Sequence, residues 1–238
     1  MNKEVEDQKS IVESPEMERY RGIWELAKPY LAESRWWDLM HTEMSIGYLF
    51  KIIKEEGKEE LENVLVPAII LHDVGWSTIG DEKHVSWGGE EMRRKHMEMG
   101  AKISEDILNR VGYDPLLTKQ IVHLVSTHDN TYLGIEQKTY EEKLVRDADA
   151  CFVLTELSFW KDYHVKSVIK GEGLAPAEFF ERQIEKNCSR HTKTAQKITT
   201  KQIEERRAEI ADASITPLQR YESLKAKADR INQDALTK

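Results

Sequence analysis

Only twelve glycines and six prolines punctuate 238 residues, and that scarcity constrains the fold more than any other feature. Sandwiches and barrels need turn residues about every ten positions. A chain with so few breakers builds long helices instead. No segment alternates apolar and polar residues convincingly, and no internal repeat emerges. The longest apolar run, Val64 to Leu71, is too short to span a bilayer. Apolar residues still make up 39% of the chain, enough for a sizeable core despite the many charges.

The available punctuation divides the chain. Residues 1–14 are polar and read as a flexible N-terminus without the apolar centre of a signal peptide. Ser14-Pro15 reads as an N-cap and first helical position, opening an amphipathic stretch with Trp24, Leu26, Ala27 and Leu31 inside. Further helices are predicted from Trp36 to Glu56, stopped by Gly57, and from Glu60 to His72, with Pro67 as a kink. After a glycine- and tryptophan-rich loop, Val74 to Gly89, come Glu90 to Arg110, Pro115 to Thr127 and Tyr140 to Tyr163. A long charged helix runs from Pro176 to Ile210, and a weakly apolar one from Pro217 to Leu236. The expectation is an all-α domain over residues 15–210 with a C-terminal helical tail over 211–238.

At about 100° per residue, each helix shows where its histidine or acid points. His41 shares a face with Trp37, Ser45, Tyr48 and Ile52. His96 aligns with Met92, Gly100, Ile103 and Ile107, and Asp147 with Leu144, Cys151, Leu154 and Ser158. His72 and Asp73 stand side by side where the apolar run ends. His128 lines up with Leu117, Ile121, Leu124 and Val125, whereas His123 falls opposite, among Lys119 and Ser126. Each histidine by itself reads as a hydrogen-bonded core residue. Six groups together, two of them acids, are hard to satisfy without a shared cation. Their imidazole and carboxylate donors suit iron, manganese, zinc, cobalt or nickel. Helical phase does not show whether they converge.

The series His41, the doublet in AIILHDVGW and Asp147 in KLVRDADA resembles the HD-domain superfamily. HMEMGAKISEDIL and IVHLVSTHDN resemble its fourth and fifth helices, so the resemblance covers about residues 18–160. It implies an HD-type helical bundle in which His41, His72, Asp73 and Asp147 hold one metal. His96 and His128 would hold a second, with Asp73 as the bridge. The implied function is a metal-dependent phosphohydrolase acting on a nucleotide or other small phosphate ester through a metal-activated water. The catalytic residues would be Asp73 and Lys143, the latter one turn before Asp147 and within reach of a phosphate. The sequence lacks the GYP signature after His128, a second histidine beside it, and the HGxxxxH-like continuation after the doublet, which leaves the substrate open. A di-iron oxygenase cleaving a C–P or C–C bond uses the same ligand types and is the alternative. A non-catalytic ligand-binding module is the third reading.

The net charge of −8 argues against general nucleic-acid binding. The expected partner is a small anionic substrate, with no membrane. The charged C-terminal helices leave room for a homo-oligomer. Cys151 and Cys188 lack CxxC spacing and make no disulfide scaffold, so the expected compartment is a reducing cytoplasm. Cys151 reads as core. Arg93, Arg94 and Lys95 read first as a solvated face and second as an anion attractor. Trp76 and Trp87 read as loop packing or pocket wall, Asp81 and His84 as loop acids, His164 and His191 as surface residues. Arg190 reaches substrate only if its helix packs back over the pocket.

Overall fold

The computed structural model describes residues 10–81 and 89–237. Among the described residues the chain is all α, without strands. The first helical stretch starts at Pro15 as a 3-10 segment, Pro15–Tyr20, and continues as α1, Arg21–Glu33. Helix α2, Asp38–Glu56, ends on Gly57, whose φ of 64° is the left-handed conformation that glycine adopts without strain. Helix α3, Glu62–Leu71, is buried on every side from Val64 onward, which explains why its sequence shows no periodicity. Pro67 removes the N–H that Asn63 would otherwise receive. The Tyr113 hydroxyl donates to that Asn63 carbonyl instead, at 2.7 Å.

Helices α4, Glu90–Arg110, and α5, Pro115–Thr127, have the bounds predicted for them. Asp114 caps α5 by accepting from the Leu116 and Leu117 N–H groups. Helix α6, Tyr140–Ala150, opens with a Thr139/Glu142 capping box. Helices α2, α3, α5 and α6 pack around the core, and α4 lies along α5.

Three expectations need correction. The helix predicted to Tyr163 stops at Ala150, and α7, Glu156–Tyr163, starts anew with Thr155 as its cap. The long charged helix is two: α8, Pro176–Asn187, and α9, Lys193–Ala211, which Thr192 caps. These two breaks interlock, because Arg190 donates to the Ala150 carbonyl at 2.6 Å. Finally, the outer segments lie on the domain. Residues Ile11–Glu13 form a 3-10 turn, with Ile11 and Val12 against the core. Helix α10, Pro217–Leu236, packs on α1, α2 and α7 and buries Ala228 and Ala235. Among the described residues, no helix is long and apolar enough to cross a membrane.

Candidate metal centre

Four histidines and one carboxylate converge at the centre of the bundle. His41 comes from the first turn of α2 and His96 from α4, both buried. His72 and His128 occupy equivalent places, each the residue just beyond its helix, α3 and α5. Carbonyls in the last turn of a helix have no partner within it. His72 Nδ1 donates to the Ile69 carbonyl at 2.8 Å, and His128 Nδ1 to that of Val125 at 2.7 Å. A carbonyl only accepts, so each Nδ1 carries a proton and each Nε2 is the ring nitrogen turned inward.

Asp73 stands between two histidine pairs. Its Oδ2 lies 3.4 Å from both His41 Nε2 and His72 Nε2, which approach each other to 2.8 Å. Its Oδ1 lies 3.8 Å from His96 Nε2 and 3.5 Å from His128 Nε2, themselves 3.2 Å apart. One carboxylate thus completes two triads, His41–His72–Asp73 and Asp73–His96–His128, each tight enough to chelate one ion. Burial would raise the Asp73 carboxyl, but His72 and Arg35 hold it well below the usual carboxylate range. Burial drives His96 down to about 3 and also lowers His72. It opposes protonation of His128 as well, yet the hydrogen bond to Asp73 and the charge of Asp129 push that group up to about 9.

The turn after the doublet holds this geometry. Trp76 Nε1 donates to Asp73 Oδ1 at 3.1 Å, and its indole stacks on His96 with centroids 4.2 Å apart. Gly75 lies so close to α4 that a Cβ there would fall 1.9 Å from the His96 carbonyl oxygen.

Asp147 is not part of this cluster. It accepts from the His191 and Thr192 N–H groups and the Thr192 hydroxyl, between 2.7 and 3.1 Å, and so docks the start of α9. The acid beside the histidines is Asp149, whose Oδ1 lies 3.2 Å from His41 Nε2 and 3.9 Å from His72 Nε2. The expectation failed because it carried α6 straight through to Ser158; with the helix ending at Ala150, Leu154 and Ser158 do not define its inner face. Lys143, two turns before Asp149, does not line the central cavity. His123 faces outward and bonds Glu142 at 2.9 Å, whereas His128 is in the cluster.

Each acid near the histidines has its own arginine. Arg35, in the α1–α2 connection, donates to Asp73 at 2.7 Å and is itself fixed by Asp38. Arg93 pairs with Asp129 at 2.6 Å, and Asp129 lies 3.6 Å from His96 Nε2. Arg146 lies 3.4 Å from Asp149 and donates to the Tyr132 hydroxyl, while Arg93 covers the face of Tyr132 at 4.2 Å. Sequence reasoning missed Arg35, Asp129 and Asp149. Asp129 had a signal, a second His-Asp doublet in THDN. Arg35 had none, because it sits in a connection without periodicity. Of the other candidates, Arg93 lines the cavity rather than a solvated face. Arg190 is spent on backbone carbonyls of residues 150, 187 and 189. His164 is not a free surface group but stacks on Tyr221. Burial pushes the Cys151 thiol up to about 12. Trp87 and His84 lie outside the described residues.

Four imidazoles and a shared carboxylate thus meet at one buried point of an all-α domain, in an arrangement that could hold metal ions. The family model described as HD domain matches residues 39–153, so this segment matches the HD-domain superfamily. Compared with curated proteins and with solved structures, the chain finds no match.

Asp147 and Asp149 are expected to separate cleanly by substitution. Asp149→Asn should lower metal occupancy with little change in stability. Asp147→Asn should leave metal content intact and cost about 1–3 kcal/mol, since a buried charged acceptor is lost. Elemental analysis and urea unfolding read the two effects; the reverse pattern would return Asp147 to the cluster.

Proposed function

We propose that the protein is a metal-dependent phosphohydrolase acting on a small phosphate ester, with two divalent ions per chain. The observation that carries this reading is the division of Asp73, one oxygen toward His41 and His72 and the other toward His96 and His128. His41, His72, Asp73 and Asp149 would hold one ion, and Asp73, His96 and His128 the other, with Asp129 beside it. Such a pair supplies Lewis acidity toward a phosphoryl oxygen and lowers the pKa of bound water.

The chain's own residues prepare the rest. The cavity over the cluster, about 240 Å³, is lined by Arg35, Arg93, Lys161 and Lys166 among others. That volume suits a small metabolite, and these cations suit an anion. Arg93 and Arg35 pair with Asp129 and Asp73 and keep these acids oriented. A side-chain nucleophile is not needed, and Cys151, buried with a raised pKa, is unsuited to be one. Both cysteines are unbridged, which supports a reducing, cytoplasmic setting.

The test is metal content of protein purified anaerobically without chelators or a histidine tag, followed by a phosphomonoester panel. About two manganese, zinc, cobalt or nickel ions per chain, with phosphate release that stops on chelation, is the expected result. Two irons per chain with oxygen uptake on a phosphonate or polyol, and no phosphate release, would replace hydrolysis by oxygenation. A chain that takes up no metal on reconstitution would end both readings.

A further inference from the structure

Part of the cavity wall lies outside the matched HD residues, on α7, α8 and the π-turn His164–Ile169 between them. Four acids and four cations line the cavity, so its charge is balanced. On this wall the ammonium of Lys161 lies 2.9 Å from Asp162. Such a lining does not select a second ionic group on a substrate. What the wall adds is neutral: Ser158, Gln183 and Asn187. Ser158 and Gln183 are buried, where polar groups are costly unless they are bonded.

Three of these side chains form a directed chain. Asn187 Nδ2 donates to Gln183 Oε1 at 2.7 Å and to the Gln183 carbonyl at 3.2 Å. Gln183 Nε2 donates in turn to Asp162 Oδ2 at 3.4 Å. These partners fix which end of each amide is nitrogen. Gln183 then has a second N–H to give, Asn187 keeps its Oδ1 as an acceptor, Asp162 only accepts, and the Ser158 hydroxyl does both. An anion calls for donors and a cation for acceptors. A hydroxyl donates and accepts at once, so a wall of mixed kind suits hydroxyl groups.

The surfaces next to this wall are apolar. Trp37 and Phe152 both line the cavity. The Phe152 ring lies 4.3 Å from that of His41 and 5.8 Å from Lys161 Nζ, so the polar wall begins about one ring beyond the histidine cluster. The cavity volume, about 240 Å³, is below the roughly 300–1,000 Å³ usual for drug-sized ligands. It leaves room for a few carbons.

From this arrangement we infer that the substrate is the phosphate ester of a small polyol. Its phosphate meets the histidine–aspartate cluster. Its vicinal hydroxyls are read by Asp162, Gln183, Asn187 and Ser158, while Trp37 and Phe152 flank the carbon chain. The phosphate end rests on the hydrolase reading; the hydroxyl subsite stands apart from it.

The test is calorimetric binding of phosphonates, which have no ester bond to hydrolyse, to anaerobically purified protein. The probes, 3,4-dihydroxybutylphosphonate and butylphosphonate, share charge and chain length and differ in the diol. Wild-type protein is expected to bind the diol about tenfold tighter, the worth of one hydrogen bond to a charged group. In Gln183→Leu and in Asn187→Ala that ratio should fall below about threefold, with butylphosphonate affinity unchanged. A merely loosened pocket would weaken both probes alike. Asn187 is half-buried at the end of α8, so its variant serves if Gln183→Leu fails to fold. A wild-type protein that does not prefer the diol overturns the inference, as does a ratio unchanged in both variants. Phosphate release from glycerol 3-phosphate and propyl phosphate separates the two readings. If the diol is preferred but neither ester is hydrolysed, the subsite stands and the hydrolase reading falls. If both esters are hydrolysed with equal kcat/KM and the diol is not preferred, the hydrolase reading stands and the subsite falls.

Discussion

If the phosphohydrolase reading holds, Asp73→Ala should leave the protein without either of its two proposed metal ions and reduce phosphate release to background. Each triad loses its shared carboxylate at once, which leaves His41 and His72 with only the more peripheral Asp149, and His96 and His128 with only Asp129 beside them. The alanine variant also strands the Trp76 N–H and removes one of the two acids that Arg35 Nη2 contacts. Arg35 keeps Asp38 as a partner, so the buried cation is not abandoned. Asp73→Asn separates the two effects, because its amide oxygen can still accept from Arg35 or Trp76 while its charge is gone. Metal content by elemental analysis should fall in both variants, and circular dichroism of the asparagine variant should match wild type. A variant that keeps two ions per chain would refute Asp73 as the shared ligand.

Gly75→Ala should be the most damaging single-methyl change in the domain. The added Cβ would meet the His96 carbonyl oxygen at 1.9 Å and the Gly100 nitrogen at 2.6 Å. Both are helix backbone and cannot swing away as a side chain would. Either the turn that carries Asp73 and Trp76 lifts off α4, or α4 moves with His96. Overpacking of this kind costs about 3 kcal/mol. Gly100→Ala is the control: its Cβ meets Val125 Cγ1 at 3.4 Å, an ordinary contact, and alanine favours the helix by about 1 kcal/mol. Urea unfolding should show a large loss for the first and little change or a gain for the second. Equal stability of the two variants would mean that the turn does not rest on α4. Metal analysis of Gly75→Ala should show reduced occupancy where His96 contributes.

The sequence was most informative where the physics is local. Gly57, Asp114-Pro115 and Gly89 bound helices because left-handed backbone, capping acceptors and fixed φ act within a few residues. The inward faces of His41 and His96 follow from the helical repeat and the apolar neighbours one turn away. His128 could be preferred to His123 on the same ground, and the structure places the first in the cluster and the second against Glu142. The doublet His72-Asp73 was conspicuous because it ends an eight-residue apolar run.

Where α6 stops was not local. Nothing in DADACFVLTELS forbids a helix, and the capping Thr155 is an unobtrusive signal. The chain breaks there because Arg190 takes the Ala150 carbonyl and Asp147 takes the N–H groups that open α9. Asp147 and Asp149 lie about 200° apart around the helix, and both find partners. Which of them meets the histidines depends on the docking of a segment more than forty positions away.

By itself, then, the sequence determined that the chain is all-helical, where most helices begin and end, and that four histidines and a doublet aspartate turn inward. Those properties depend on backbone propensity, caps and the side-chain period, which a linear chain already contains. The tertiary structure alone decided that Asp149 and not Asp147 joins them, that Arg35, Arg93 and Arg146 each secure an acid, and that Lys161 faces them across a small cavity. Those outcomes depend on distances between segments remote in the chain, where charge and hydrogen bonding act only once packing has brought the partners together.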